Sequence, residues 1–191
     1  MAIFIDNISK SYGDKKVLSN FSLNIPDSSN ISIMGESGCG KTTLLKLILG
    51  LEKIDSGEIS DLDNKKISAC FQEDRLVENL TAYRNIKIVS DNKITKDFLK
   101  TEFSKVGLEE SVCDSKIEFL SGGMKRRIAI IRALIVDSDI VLLDEPTKGL
   151  DDVNKKMVLD YILEKTKDKT LICVTHSLDE AKYISDTIVN M

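Results

Sequence analysis

No basic start followed by a long apolar run opens this chain, and no apolar stretch in it is long enough to cross a bilayer. Neither a signal peptide nor a membrane span is expected. An excess of positive charge is missing too: 27 basic against 31 acidic residues leave a net charge of −4. That balance gives no general attraction to nucleic acid, and no nucleic-acid partner is expected. The four cysteines, Cys39, Cys70, Cys113 and Cys173, form no C-x-x-C pair, so reduced thiols in a cytoplasmic protein are expected and a metal site built on them is not. Proline occurs twice, tryptophan never and histidine once. No Pro-rich linker, internal repeat or low-complexity tract divides the 191 residues, which fits one domain.

What is present begins with Gly35-Glu36-Ser37-Gly38-Cys39-Gly40-Lys41-Thr42, a full match to the G-x-x-x-x-G-K-[ST] phosphate loop. An apolar strand pattern at 30–34 precedes it and a helical pattern beginning at Thr43 follows, the order that the mechanism requires. Glycines let the backbone wrap an anion, Lys41 can reach β- and γ-phosphates, and the Thr42 hydroxyl can ligate Mg²⁺. A second glycine turn, Ser121-Gly122-Gly123, opens another helix whose free N–H groups can also hold an anion. Lys125, Arg126 and Arg127 then oppose the helix dipole, so this turn too is expected to await phosphate. Cys39, inside the first loop, is expected to be the most alkylation-prone thiol.

Strand-like runs at 31–35, 67–72, 140–145 and 171–176 end in Gly35, Gln72, Glu145 and His176. Continuously apolar runs suit a parallel sheet buried on both faces, with ligands bound beyond the strands' carboxyl ends. Helical patterns at 43–51, 122–136 and 153–167 lie between them, whereas 2–11 and 17–26 alternate like antiparallel strands. Between 74 and 119 the chain is rich in Lys and Asp, with helical spacing at Phe98, Leu99, Phe103, Val106 and Leu108. The expected fold is α/β: a P-loop NTPase core with a mainly parallel sheet, a flanking antiparallel β-layer and an inserted α-helical subdomain. Residues 1–73 and 126–191 would form the core and 74–125 the helical part. Asp144 and Glu145 are adjacent at a strand end, so alternation is expected to point them to opposite sides and give them different tasks.

Taken in order, these motifs resemble the nucleotide-binding ATPase subunit of an ABC transporter along nearly the whole chain. Tyr12 resembles the aromatic residue that stacks on adenine, Gly35 to Thr42 the Walker A loop and Gln72 the Q-loop. Leu120 to Met124 resembles the signature motif, 140–145 Walker B, Gly149-Leu150-Asp151 the D-loop and His176 the switch histidine. The resemblance implies ATP and Mg²⁺ as cofactors, with Thr42, Gln72 and Asp144 on the metal. It implies that Glu145 deprotonates the attacking water, that Gln72 also contacts that water, and that His176 contacts the γ-phosphate. Two subunits would pair head to tail when ATP is bound, Ser121, Gly122 and Gly123 of one capping the nucleotide of the other, with Asp151 connecting the sites. The partner implied is one or more integral membrane permease subunits, docked in a groove near Gln72 and residues 73–84, with the ATPase peripheral on the inner face of the membrane. Residues 72–76 and Met124, where many members have Gln, resemble the nitrate, sulfonate and taurine importers. The short segment 57–72 implies a pared-down β-layer, and no C-terminal regulatory domain is expected. A soluble ABC-type ATPase acting as a scaffold is the alternative, although the chain has neither a long coiled-coil insertion nor a second cassette.

Overall fold

The alternating N-terminal segments form a three-stranded antiparallel layer in the computed structural model, which describes residues 2–90 and 94–191. Strand β1 (Ile3–Tyr12) turns at Gly13 into β2 (Lys15–Ile25), and its other edge pairs with β4 (Ser56–Ser60). The inward residues Ile3, Ile5, Ile8, Leu18 and Ile25 are buried. Strand β4 was not expected, because Ser-Gly-Glu-Ile-Ser has little strand propensity. It exists because the free edge of β1 offers it a ladder.

The continuously apolar runs form a five-stranded sheet in the order β5-β6-β7-β3-β8, and every pairing in it is parallel. Its strands are β3 (Asn30–Met34), β5 (Ile67–Cys70), β6 (Ile140–Asp144), β7 (Thr170–Val174) and β8 (Thr187–Asn190). The last, partly exposed and only four residues long, was not foreseen. Strands β6 and β7 are buried along their whole length, as burial on both faces demands. All the strands run the same way, so the carboxyl ends of β3, β5, β6 and β7 gather at one edge.

Helix α1 (Lys41–Ile48) starts two residues before the expected 43 and ends three before 51. Gly40, at φ 111, takes a backbone conformation that lets the helix begin at Lys41 itself. At the other end Gly50, at φ 72, closes a Schellman turn, with Gly50 N–H on Leu47 O and Leu51 N–H on Lys46 O. Between β5 and the second glycine turn lie α2 (Ala82–Lys87), α3 (Lys96–Lys105) and two short 3₁₀ turns, Glu110–Asp114 and Ile117–Phe119. Residues 91–93 of the expected helical part lie outside the described residues. Leu99, Phe103, Val106 and Leu108 are buried as their spacing implied, but Phe98 is exposed. The inward stripe passes through Leu99 and Phe103, four apart, and turns their neighbour Phe98 to solvent. The chain continues through α4 (Gly122–Leu134), α5 (Asp152–Lys165) and α6 (Leu178–Ile184). Among the described residues no helix is long and apolar enough to cross a membrane.

Candidate active site

The phosphate loop leaves β3 and enters α1 through Gly35 and Gly40, neither of which another residue could replace without a shift. A Cβ on Gly40 would lie 2.9 Å from Leu18 Cδ2 and 3.0 Å from Val17 Cγ1, so the β-layer packs directly on the loop. A Cβ on Gly35 would lie 2.8 Å from both Cys39 Sγ and Met191 O. The first turn of α1 has no acidic residue, and Gly40 provides no side-chain cap. Its free N–H groups and the buried Lys41 therefore present positive charge to the loop. The Lys41 ammonium donates to Gly35 O at 2.9 Å and Glu36 O at 2.8 Å.

A cavity of about 330 Å³ lies over this loop, lined by Ser37, Gly38, Gly40, Lys41, Thr42 and Thr43. Gln72, Asp144, Glu145 and His176 line it as well, as do Tyr12, Lys15 and Val17. Gly35, Glu36 and Cys39 complete the loop without lining the cavity. Lys15 and Val17 were missed, yet a signal existed: Lys15 lies directly opposite Tyr12 in the hairpin register, and opposed residues share a face. Tyr12 is half exposed, with the Lys10 ammonium 5.4 Å from its ring centroid. A smaller groove of about 150 Å³ runs from Thr42 and Asp144 past Lys46, Phe71 and Gln72 to Glu73 and Arg75.

Asp144, the last residue of β6, is buried and accepts the Thr42 hydroxyl at 2.6 Å. Burial pushes its carboxyl above the usual range, only partly offset by that hydrogen bond, and the neighbouring Glu145 adds to the rise. Glu145 has left the strand, and its φ of 48 is the left-handed region. For a residue with a side chain this costs about 1–3 kcal/mol. The twist overturns the expectation that alternation separates the two carboxylates, since both face the same cavity. Glu145 Oε1 lies 2.9 Å from His176 Nε2, Oε2 lies 3.0 Å from Lys148 Nζ, and the Glu145 N–H donates to Val174 O.

The second glycine turn is elsewhere. Ser121, Gly122, Gly123 and Asp151 do not line the 330 Å³ cavity. Ser121 caps α4 by accepting from Met124 N–H at 3.3 Å, and Asp151 caps α5 by accepting from Asn154 N–H at 3.0 Å. That cap and the Asn154 side chain hold the Asp151 carboxyl below its usual range. Arg127 and Asp151 share Asn154, which accepts from the guanidinium at 2.7 Å and donates to the carboxylate at 2.6 Å. The three cations do not wait for an anion, contrary to expectation. Lys125 pairs with Glu78, while Arg126 and Arg127 are buried and donate mainly to backbone carbonyls. What remains for an anion at this turn is the Ser121 hydroxyl and the exposed glycine backbone.

The ABC transporter family model matches residues 18–148. The phosphonates import ATP-binding protein of Fusobacterium nucleatum is 33% identical over 216 aligned residues, covering 98% of this chain and 87% of that protein. The aliphatic sulfonates import ATP-binding protein of Pseudomonas syringae pv. tomato is 34% identical, covering 95% of this chain and 78% of that protein. The spermidine/putrescine import ATP-binding protein of Acetivibrio thermocellus is 35% identical over the whole chain, which spans only 58% of that relative's length. A solved dimeric ATP-binding cassette, in a post-hydrolysis state bound to ADP and phosphate, superposes with a TM-score of 0.85. It is 30% identical, with 99% of this chain and 94% of that one covered.

Proposed function

Since the chain belongs to the ABC transporter family, we propose that it is the ATP-binding subunit of an importer, hydrolysing MgATP to move solute through a separate membrane permease. The observation that carries this reading is a single cavity joining the phosphate loop, the Thr42–Asp144 pair and the Glu145–His176 pair, with the second glycine turn standing apart. The scaffold alternative is not favoured, because the relatives are import ATP-binding proteins. They import solutes as unlike as phosphonates and spermidine, so solute selection falls to the permease rather than to the shared cassette.

The loop N–H groups and Lys41 hold the β- and γ-phosphates, and Tyr12 stacks on the base with Lys15 and Val17 beside it. Thr42, Asp144 and Gln72 are the hard oxygen donors that fit Mg²⁺. Among the described residues no group of three or more His, Cys, Asp or Glu could hold a metal ion by itself, so Thr42, Asp144 and Gln72 would hold Mg²⁺ together with the phosphates. When bound, Mg²⁺ supplies charge neutralisation on the phosphate oxygens. Glu145 accepts the proton of the attacking water, whose oxygen bonds to the γ-phosphorus as the bond to the β–γ bridging oxygen breaks. His176 orients Glu145 and the γ-phosphate, and ADP and inorganic phosphate leave. Ser121, Gly122 and Gly123 of a second subunit cap the γ-phosphate head to tail, and Asp151 connects the two sites.

Residues 1–73 and 126–191 form the nucleotide-binding core and 74–125 the helical part, the two joined through the continuous α4. The groove from Gln72 to Arg75 receives the permease, which keeps the subunit on the inner face of the membrane. Purification from native membranes with ATPase assay and identification of bound proteins tests this. Mg²⁺-dependent hydrolysis with an integral membrane protein bound is the expected result, and hydrolysis with only soluble partners would overturn the transport role.

A further inference from the structure

The ladder between β5 and β6 ends at the pairing of Cys70 with Leu143. Beyond it one side chain links the two segments. Arg126, on α4, is 4% exposed and uses every edge of its guanidinium. Its Nε donates to Pro146 O at 3.0 Å, and Nη2 donates to Asp144 O at 2.7 Å and Glu145 O at 2.9 Å. Its Nη1 donates to Phe71 O at 2.6 Å, lies 3.4 Å from Gln72 O, and pairs with Asp74 Oδ1 at 3.1 Å.

We propose that Arg126 is a positioning residue for hydrolysis, setting the Glu145 carboxylate and the Gln72 amide relative to each other by holding both backbones in one planar fork. The proposal rests on the nucleotide reading of the cavity, which Arg126 itself does not line. Glu145 stands in a left-handed conformation that persists only where the surroundings over-determine it. His176 and Lys148 restrain its carboxylate, and its backbone is restrained by three contacts: the N–H on Val174 O, and the carbonyl accepting from the Lys148 N–H and from Arg126, of which only Arg126 also holds the Gln72 segment. Lysine cannot substitute. An ammonium has three donors on a point charge and cannot span the acceptors that Arg126 reaches on two separate segments.

The test is steady-state ATPase kinetics on the purified chain and on Arg126→Lys and Arg126→Gln, with fluorescent-ATP binding and thermal melting as companions. The kcat is expected to fall about ten- to a hundredfold, the order that a misplacement near 1 Å produces, with KM and binding unchanged within about twofold. In single-turnover assays on a Glu145→Gln background, Arg126→Lys should cause much less further loss than in wild type, because the placement of a proton-accepting carboxylate relative to Gln72 no longer matters. Should neither Arg126 variant fold, Asp74→Asn provides the same comparison with a smaller fall in kcat and unchanged KM. A wild-type kcat in the folded variant, or losses that multiply with Glu145→Gln, would overturn the proposal. A wild-type chain that hydrolyses no ATP would overturn the nucleotide reading and the positioning role together, whereas a hydrolysing wild type with an equally fast variant overturns the positioning role alone.

Discussion

Asp144 and Glu145 differ in their surroundings rather than in strand parity. Asp144 is buried against the Thr42 hydroxyl, while Glu145 is twisted out of the strand toward His176 and Lys148. The motif order made both residues legible, but the twist was not, because nothing local in Asp-Glu-Pro announces a positive φ. The roles of Arg126 and Arg127 were hidden for a related reason. Their partners are carbonyls supplied by distant segments, and any residue type can present a carbonyl. The cysteines give a prediction at this scale. Cys39 is half-buried, whereas Cys70, Cys113 and Cys173 are buried and desolvation pushes their thiols up. Partial maleimide labelling read by mass spectrometry should modify Cys39 first and more slowly with MgATP, and the labelled chain should not bind ATP. Modification of Cys113 ahead of Cys39, or rates indifferent to MgATP, would contradict this reading of the loop.

Between elements, α3 and α5 are tied by a buried carboxylate. Glu102 accepts from Tyr161 Oη at 2.7 Å, and Lys165 and Lys105 lie 2.5 Å and 3.2 Å from its oxygens. Burial raises the Glu102 carboxyl, but the hydrogen bonds from Lys165, Tyr161 and Lys105 outweigh it, so its pKa falls below the ordinary value of 4.5. A lowered folded-state pKa gives stability that is present above the ordinary carboxylate value and lost as pH falls through the lowered one. Glu102→Gln should therefore cost about 1–3 kcal/mol near pH 7, discounted for the partly exposed lysines. At about 2–4 °C per kcal/mol for a chain of this size, the melting temperature should drop by roughly 2–12 °C. Thermal melts across pH check the sign, because the gap between wild type and variant should close on acidification. No gap at pH 7, or one that widens in acid, would remove the tie. Elements with long apolar runs or strong spacing, β3, β6, β7, α4 and α5, were legible in the sequence. Short β4 and β8 were not, because their pairing comes from edges that β1 and β3 offer, not from their own residues.

Across the whole molecule, the phosphate loop and the second glycine turn stand on different elements. One has Lys41, Thr42 and the carboxylates, and the other has Ser121 and the glycine backbone. In the proposed function neither alone surrounds a γ-phosphate, and head-to-tail pairing of two subunits would complete both. Titration of a fluorescent ATP analogue into Lys41→Ala and Ser121→Arg, with light scattering of each variant combined with Glu145→Gln under saturating MgATP, tests this directly. Lys41→Ala should weaken binding by the monomer at least about tenfold, the worth of a lost charge-assisted hydrogen bond. Ser121→Arg should leave monomer binding within about twofold of wild type and abolish the dimer that Glu145→Gln otherwise accumulates. Equal loss of monomer affinity in both variants, or an undiminished dimer with Ser121→Arg, would contradict a site shared between two subunits.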